Sequence, residues 1–441
     1  MKPVQVGVLG FGTVGTGVVR LLTESRDLLA RRLGAPLILK KVADLDLARP
    51  RPVRLDPGLL TSRDRDLLDD PDIDIVVEVI GGVEAARELV LEAIARGKQV
   101  VTANKALLAL HGNEIFAAAA RAGVEVAFEA SVCGGIPIIL ALRQGLAANR
   151  IQEILGILNG TANYILTQMS QHNTSFAQAL TEAQTQGYAE ADPTLDISGV
   201  DAAHKLAILM ALAYGSRLDF DAIAVEGIAD LEPLDLQFAR EFGYVIKLLA
   251  ITRNDGQQLE ARVHPTLIPR DHMLANVSGA YNAVYLTGDA LGSILLYGQG
   301  AGMMPSASAV VSDILDLARN LGLGITRRVP PLGCEAAWET RRPIKPLAEV
   351  VTNYYFRFAA KDRPGVLSQV SGILGKYGIS IAAVIQKGRE VKGAVPIVMI
   401  THEAREADAR AALVEIDALP VVSPPTVFYR IEDPHLHAAQ I

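Results

Sequence analysis

Between residues 187 and 205 the chain reads Gly-Tyr-Ala-Glu-Ala-Asp-Pro-Thr-Leu-Asp, then Ile-Ser-Gly-Val-Asp-Ala-Ala-His-Lys. Glu190, Asp192, Asp196 and Asp201 place four carboxylates beside one lysine, Lys205, in a short segment between apolar helical runs. Asp201 and Lys205 are four apart and lead into Leu206-Ala207-Ile208-Leu209-Met210-Ala211-Leu212. On a helix this spacing puts both heads on one face, one turn apart. The apolar remainder predicts that the helix is buried. A lysine at the edge of a core, beside carboxylates, is suited to proton transfer, because burial and neighbouring charge both move its pKa. The plainer reading is a surface ion pair at a helix start, where an acid is favoured anyway.

The elements that must position such groups begin at the N-terminus. Residues 4–9 are apolar enough for a buried strand, and they run into Gly10-Phe11-Gly12-Thr13-Val14-Gly15. Residues 16–30 then read as a helix, with Val18, Val19, Leu21 and Leu22 on its apolar face. Strand, glycine turn and helix in this order predict a dinucleotide-binding unit. Gly10 permits the tight turn, Gly12 lets a pyrophosphate approach the backbone, and Gly15 lets helix and strand pack closely. A second strand over 37–44 ends in Asp44, after Lys40 and Lys41. An acid there suits the ribose of NAD and a base suits the 2′-phosphate of NADP, so both cofactors stay open. Further strands are predicted at 73–80, 99–101 and 124–128, with a helix at 84–96. Lys105 and Glu129 fall at carboxyl ends of such strands, where open α/β sheets bind ligands. The plainer reading of Lys105 is a solvated surface lysine.

Glu129-Ala130-Ser131-Val132-Cys133-Gly134-Gly135-Ile136 offers a carboxylate followed by backbone carbonyls. That is an oxygen ligand set for a monovalent hard cation, or simply a domain-crossing loop that needs glycine. Residues 151–158 predict a strand, Asn159-Gly160-Thr161-Ala162-Asn163 a turn and N-cap, and 164–170 a helix. Residues 176–186 predict a helix that Gly187 closes. Strands are expected at 258–263 and 282–286, with His264-Pro265-Thr266 in the connection. Gly298 to Pro305 reads as a glycine-rich loop before a helix at 306–320, either a second loop at the cofactor or a plain helix entry.

Half of the 441 residues are hydrophobic and 5% aromatic, enough for sizeable cores in two or three domains. A net charge of −7 argues against nucleic acid as the main partner. No apolar run is long enough to span a bilayer, and the first residues enter a strand with no signal-peptide layout. Cys133 and Cys334 are the only cysteines, so no disulfide framework is indicated. A cytoplasmic enzyme fits all of these.

Taken together, the strings at 10–15, Thr-Ala-Asn-Lys-Ala-Leu-Leu at 102–108, Asn-Gly-Thr-Ala-Asn-Tyr-Ile at 159–165, the stretches 187–196 and 199–205, and Ala-Gly-Met-Met-Pro at 301–305 resemble homoserine dehydrogenase, collinearly over residues 1 to about 335. The resemblance implies interconversion of L-homoserine and L-aspartate 4-semialdehyde with NADP or NAD, on the path to threonine, methionine and isoleucine. It implies Lys205 as proton donor and acceptor at the reacting oxygen, and Glu190 and Asp201 as ligands of the amino acid. Lys105 would lie by the nicotinamide. Phe11, Thr13, Val14, Gly187 and Gly302 would line the cofactor with Gly10 and Gly12. Glu129, Val132, Gly134 and Ile136 would hold a sodium ion. The family more often carries glycine where this chain has Cys133. A lysine acting as a base near neutral pH needs its pKa lowered by burial or a nearby cation, a role open to Lys105, while carboxylates push the other way.

Beyond a connection at 336–350, the order strand, helix, two strands, helix, strand predicts a ferredoxin-like βαββαβ unit. With Asp362-Arg363-Pro364-Gly365-Val366-Leu367 it resembles the ACT domain. That implies feedback by a small amino acid, threonine above all, near Gly365 and Gly378, or a unit kept for oligomer contacts. The expected architecture is α/β: a Rossmann-type domain over 1–130, completed by about 301–335, an α+β catalytic and dimerisation domain over 131–300, and an ACT domain over 350–433. The assembly expected is a homodimer or homotetramer. Two other readings compete. One is a different nicotinamide-dependent semialdehyde oxidoreductase, with Cys133 as a nucleophile. The other is a non-catalytic amino-acid sensor.

Overall fold

The computed structural model describes residues 2–335, 342–386 and 394–433. Strand β1 (Val4–Leu9) enters helices α1 (Thr13–Glu24) and α2 (Arg26–Leu33). The single helix expected at 16–30 is therefore two, separated at Ser25. The reason lies in the side chains: Val18, Val19 and Leu22 bury one face of α1, whereas α2 is charged and buries only Leu29 and Leu33. Then follow β2 (Leu37–Ala43), β3 (Leu60–Thr61), α3 (Arg65–Leu68), β4 (Ile75–Glu78), α4 (Glu84–Ala95), β5 (Gln99–Thr102), α5 (Lys105–Ala122) and β6 (Val126–Ala127). The middle of the chain gives α6 (Ile138–Leu140), β7 (Ile151–Ile157), α7 (Gly160–His172), α8 (Phe176–Thr185), α9 (Thr194–Ile197) and α10 (Val200–Tyr214). Helix α7 begins four residues before the expected start, at Gly160, so Thr161, Ala162 and Asn163 are helical and buried rather than a turn.

Next come β8 (Ala224–Val225), α11 (Pro233–Glu241), β9 (Tyr244–Asn254), β10 (Leu259–Pro269), β11 (Tyr281–Gly288), β12 (Gly292–Gln299) and α12 (Met303–Gly322). The connection expected at His264-Pro265-Thr266 is instead the middle of β10. Pro265 falls between the residues that pair with β8 and those that pair with a later strand, where a missing N–H breaks no ladder. The glycine loop expected from 298 is likewise shorter, because Gly298 and Gln299 belong to β12 and pair with β11. The last elements are β13 (Val351–Ala360), α13 (Val366–Lys376), β14 (Ile381–Gln386), β15 (Val395–Thr401), β16 (Ala404–Arg405), α14 (Glu406–Asp417) and β17 (Val422–Ile431).

The contacts divide the chain into two compact units. The first comprises the chain up to Gly160, Asp201–Ile223 and Ala280–Arg342; the second comprises Thr161–Val200, Ala224–Gly279 and the chain from Pro343. In the first, β3-β2-β1-β4-β5-β6 form a wholly parallel sheet whose order reverses between β1 and β4, the position where open α/β sheets bind dinucleotides. Val6 and Val8 of β1 share a core with Val18 and Val19 of α1 and with Val310 and Ile314 of α12. Gly17 permits that packing, since a Cβ there would lie 2.6 Å from Met303 O. Strands β7, β11 and β12 form an antiparallel set in the same unit.

In the second unit, β9 and β10 pair antiparallel along their whole length, and β17-β13-β15-β14 continue beside β10. Helices α13 and α14 pack one face of that set over Tyr354, Phe356, Phe358, Val370 and Ile416. Apart from the two-residue β16, the strand and helix order is the βαββαβ read from the sequence.

Candidate active site

Helix α10 is buried nearly all round, including Asp201, His204 and Lys205. Lys205 Nζ donates to Asp201 Oδ2 at 2.6 Å and to Leu158 O at 2.7 Å. The next residue after that carbonyl, Asn159, donates from Nδ2 to Asp201 Oδ2 at 2.8 Å. On the other carboxylate oxygen, Lys105 Nζ lies 3.1 Å from Asp201 Oδ1. Lys105 is the first residue of α5, behind the N-cap Asn104, whose side chain accepts from Leu107 N. A cation at a helix N-terminus opposes the macrodipole, and Asp201 offsets that. The surface-pair reading is excluded: Asp201 is 5% and Lys205 8% exposed.

Asp201 therefore bridges two lysines. Burial raises its pKa, but the charges of Lys205 and Lys105 and the hydrogen bonds from Lys205 and Asn159 outweigh it and hold the carboxyl well below the usual range. His204 packs against Phe220 in a tilted arrangement with ring centroids 4.6 Å apart, and burial lowers its pKa.

The carboxyl ends of β4 and β5 are tied together by a residue that sequence reasoning passed over. Glu78 Oε2 accepts from Thr102 Oγ1 at 2.5 Å, and its Oε1 accepts from Ile80 N at 3.0 Å. Burial pushes this carboxyl up. An acid closing a short buried strand was the available signal.

At the glycine turn, Gly10 has φ of 103°, and a Cβ there would lie 2.6 Å from Val79 O. Gly12 faces open space and caps α1 with no side-chain hydrogen bond and no acid in the first turn. Thr13 and Val14 open that turn, so their N–H groups suit an anion such as a pyrophosphate. A cavity of about 340 Å³ opens there, lined by Gly10, Gly12, Asp44, Arg49, Ser62 and Ile80 among others. The residues fit a dinucleotide.

At the end of β2 both carboxylate oxygens of Asp44 are engaged. Asp44 Oδ2 accepts from Phe11 N at 2.6 Å, while its Oδ1 accepts from Asp46 N and lies 3.2 Å from the Arg51 guanidinium. Arg51 also donates to Phe11 O at 2.8 Å and stacks 4.5 Å from the Phe11 ring centre. Lys40 pairs with Asp72 at 2.6 Å and with Asp70 at 3.3 Å. Arg49 and Arg51, on a loop without periodicity, went unnoticed in the sequence.

At the Glu129 loop, the carboxylate accepts from Ile139 N and Leu140 N at 2.9 and 2.7 Å, and Glu129 N donates to Asp313 Oδ2. Burial pushes Glu129 up, while burial and Glu129 push Asp313 up to about 8. Val132 and Ile136 are buried, and Gly134 lies so close to Gly300 O that a Cβ would be 2.7 Å away. Among the described residues no group of three or more His, Cys, Asp or Glu could hold a metal. Any ion here would depend on backbone carbonyls, the kind of ligand a monovalent ion takes. Cys133 is 1% exposed and burial pushes its thiol up, the opposite of an activated nucleophile.

In the second unit, Gly187 has φ of 76° and ends α8: Gly187 N donates to Gln184 O and Tyr188 N to Ala183 O, a Schellman closure. Glu190 is exposed on the segment that follows. Gly302, with φ of 130°, caps α12 in the first unit without a side-chain hydrogen bond. Among the described residues no helix is long and apolar enough to cross a membrane.

Three family models match the chain: Homoserine dehydrogenase, NAD binding domain, over residues 10–129, Homoserine dehydrogenase over 137–315, and ACT domain over 354–421. A homoserine dehydrogenase of Neisseria gonorrhoeae is 47% identical over 436 residues, covering 99% of this chain and 100% of the relative. The crystal structure of a homoserine dehydrogenase from Thiobacillus denitrificans superposes with a TM-score of 0.92 at 48% identity, covering 98% and 99% of the two chains. A hyperthermophilic archaeal homoserine dehydrogenase in complex with NADPH is 26% identical, with a TM-score of 0.59 over 72% of this chain and 98% of that one. On these matches the chain belongs to the homoserine dehydrogenase family, NAD(P)-dependent oxidoreductases acting on a CH–OH group, with an NAD-binding, a catalytic and an ACT domain.

Proposed function

We propose that Lys205 carries the proton in the interconversion of L-homoserine and L-aspartate 4-semialdehyde. The observation that supports this most is the Lys105–Asp201–Lys205 bridge, in which Asp201 and Lys205 are buried. When bound, the nicotinamide takes the hydride from C4 of homoserine or returns it to the aldehyde carbon. In oxidation the substrate hydroxyl gives its proton to Lys205 Nζ; in reduction the Lys205 ammonium gives a proton to the nascent alkoxide. Asp201 stays ionised throughout, so it keeps Lys205 aimed whether or not Nζ is charged. Lys105 sits on the same carboxylate as a second cation, placed to favour an alkoxide over the alcohol. The substrate's ammonium requires a carboxylate, and Glu190 and Asp201 are the proposed partners, Glu190 carrying the larger share because both Asp201 oxygens already hold lysines.

The pyrophosphate is assigned to the uncapped start of α1 with Gly10, Phe11, Gly12, Thr13 and Val14, and the remaining cofactor contacts to Lys105, Gly187 and Gly302. NADP is the preferred cofactor in this reading: Asp44 is engaged by Phe11 N and Arg51, while Arg49 lines the same cavity. A sodium ion is assigned to Glu129, Val132, Gly134 and Ile136, where a carboxylate and backbone carbonyls offer the oxygen ligands a hard monovalent cation takes. Threonine is assigned to the start of α13. There Gly365, with φ of 88°, caps the helix without a side-chain bond and no acid stands in the first turn. The protein works in the cytoplasm as a homodimer or homotetramer.

The test is homoserine-dependent reduction of NAD and NADP in parallel, with and without L-threonine. Turnover favouring NADP and suppressed by threonine is expected. Equal use of both cofactors removes the Arg49 argument, and indifference to threonine removes the α13 assignment.

A further inference from the structure

We infer that Asn282 is a positioning residue for Lys205, acting through the carbonyl of Leu158 that the two side chains share. Lys205 Nζ donates to Leu158 O at 2.7 Å, and Asn282 Nδ2 donates to the same oxygen at 2.9 Å. A carbonyl has two lone pairs, so these two donors saturate it. The amide orientation follows from that contact, since a flipped carboxamide would set two acceptors against each other at 2.9 Å.

Several features show a place built for this side chain. Asn282 stands on β11 and is 1% exposed. Glycines flank it on two sides: a Cβ at Gly300 would collide with its carboxamide, and one at Gly160 would approach its Oδ1 to 3.4 Å. Its Nδ2 also reaches Cys133 Sγ at 3.4 Å, on the loop where Cys133 adopts φ of 53°. Its Oδ1 is buried with no hydrogen-bond partner among the described residues. An orphan acceptor costs stability, which a packing role alone would have avoided with an apolar residue.

The arrangement joins two adjacent residues to the two charged groups on α10. The Leu158 carbonyl takes Lys205, and the Asn159 side chain takes Asp201. Lys205 alternates between ammonium and amine, and the amine is the weaker donor. Fixing Leu158 O from its other side keeps the acceptor in place while Nζ is uncharged, so the lone pair stays aimed at the reacting oxygen. Asn282 touches neither substrate nor cofactor in this account.

The inference rests on the proposed proton-carrying role of Lys205, and the experiment separates the two. Homoserine oxidation by the full chain is measured across pH for the parent, Lys205→Ala, Asn282→Ala and Asn282→Asp. Asn282→Ala is expected to lower kcat roughly 10- to 100-fold, with KM for homoserine and for NADP within a few-fold, because a misaimed base loses rate rather than binding. Asn282→Asp, nearly the same size, puts a carboxylate beside the lysine's acceptor. It is expected to move the rising limb of the oxidation profile up by about one pH unit or more. If Lys205→Ala is inactive while both Asn282 variants follow the parent's pH profile and kcat, Asn282 is only a packing residue and the inference is overturned. If Lys205→Ala itself turns over within a few-fold of the parent, the role of Lys205 falls first. Should Asn282→Ala fail to fold, the profile of Asn282→Asp decides alone.

Discussion

Carboxylates clasped by cations occur in both units, but their partners differ in kind. In the first unit Asp201 is clasped by Lys105 and Lys205. In the second, Glu226, Glu406 and Glu432 are clasped by arginines: Arg430 meets Glu226 at 2.7 Å and Glu406 at 2.5 Å, and Arg253 meets Glu432 at 2.5 Å. Arg262 joins Glu432 as well. Each carboxyl with a resolved shift is held low against the opposing effect of burial: Asp201, Glu226 and Glu432. The difference lies in what the cation is able to do. A lysine gives up its proton when its surroundings ask, whereas a guanidinium never does under these conditions. Lysine pairing suits a centre that must change charge during turnover, and arginine pairing suits a joint that must not.

The sharpest way to break this comparison is at Lys205. Lys205→Ala is expected to cut turnover by about 10³-fold or more, near the upper range for a lost acid–base group, with NADPH affinity nearly intact. Lys205→Arg keeps the charge and the contact with Asp201 yet is expected to remain nearly as inactive. Steady-state rates and a cofactor titration read both. An arginine variant within a few-fold of the parent would show that charge alone matters at this position, and the contrast with the second unit would dissolve.

The reciprocal change is Arg430→Ala. It strips a cation from Glu406, which is fully buried and also bound by Tyr354 at 2.9 Å. Removing one partner of a buried pair costs about 3–5 kcal/mol, and the lower end applies because Arg410 still reaches Glu406 at 2.8 Å. Thermal denaturation should fall by roughly 10 °C. Turnover of the folded enzyme should stay within a few-fold. Loss of turnover with unchanged thermal stability would mean that the arginine joint also serves the chemistry.

What the sequence made legible was periodic or local. The four-residue spacing of Asp201 and Lys205 required a shared face, and Gly10, Gly12 and Gly15 sat between a strand and a helix. The C-terminal unit was readable because each of its elements has its own period. What escaped depends on the backbone or on distant returns of the chain. The Leu158 carbonyl has no side-chain signature at all. Lys105 and Asp201 meet only because two elements far apart in sequence converge. Strand β9 went unread because Lys247 interrupts its apolar run, yet that lysine is buried and donates to Asn163 Oδ1 and Val277 O. Burial lowers its pKa to about 8, which no sequence pattern reports. Arg51 reaches Phe11 through a loop, where neither helical nor strand periodicity applies.

The smallest expected effect lies at Glu226, at the outer edge of the arginine joint, and it tests whether that joint is held by fixed charge. Burial raises the Glu226 carboxyl, but the hydrogen bond and charge of Arg430 dominate and hold it at about 2, below the ordinary 4.5. A carboxyl depressed in the folded state stabilises the fold above the unfolded pKa, and that contribution is lost as pH falls toward the folded one. The difference in stability between the parent and Glu226→Gln should therefore be full at pH 7, shrink between about 4.5 and 2, and vanish below. Its size at pH 7 is small, ~1 kcal/mol or less, because the side chain is 40% exposed and solvent screens the pair. Denaturant midpoints of both proteins along a pH series measure it. A difference independent of pH from 7 to 2 would mean that Glu226 contributes shape rather than charge. The arginine joint would then rest on Glu406 and Glu432 alone.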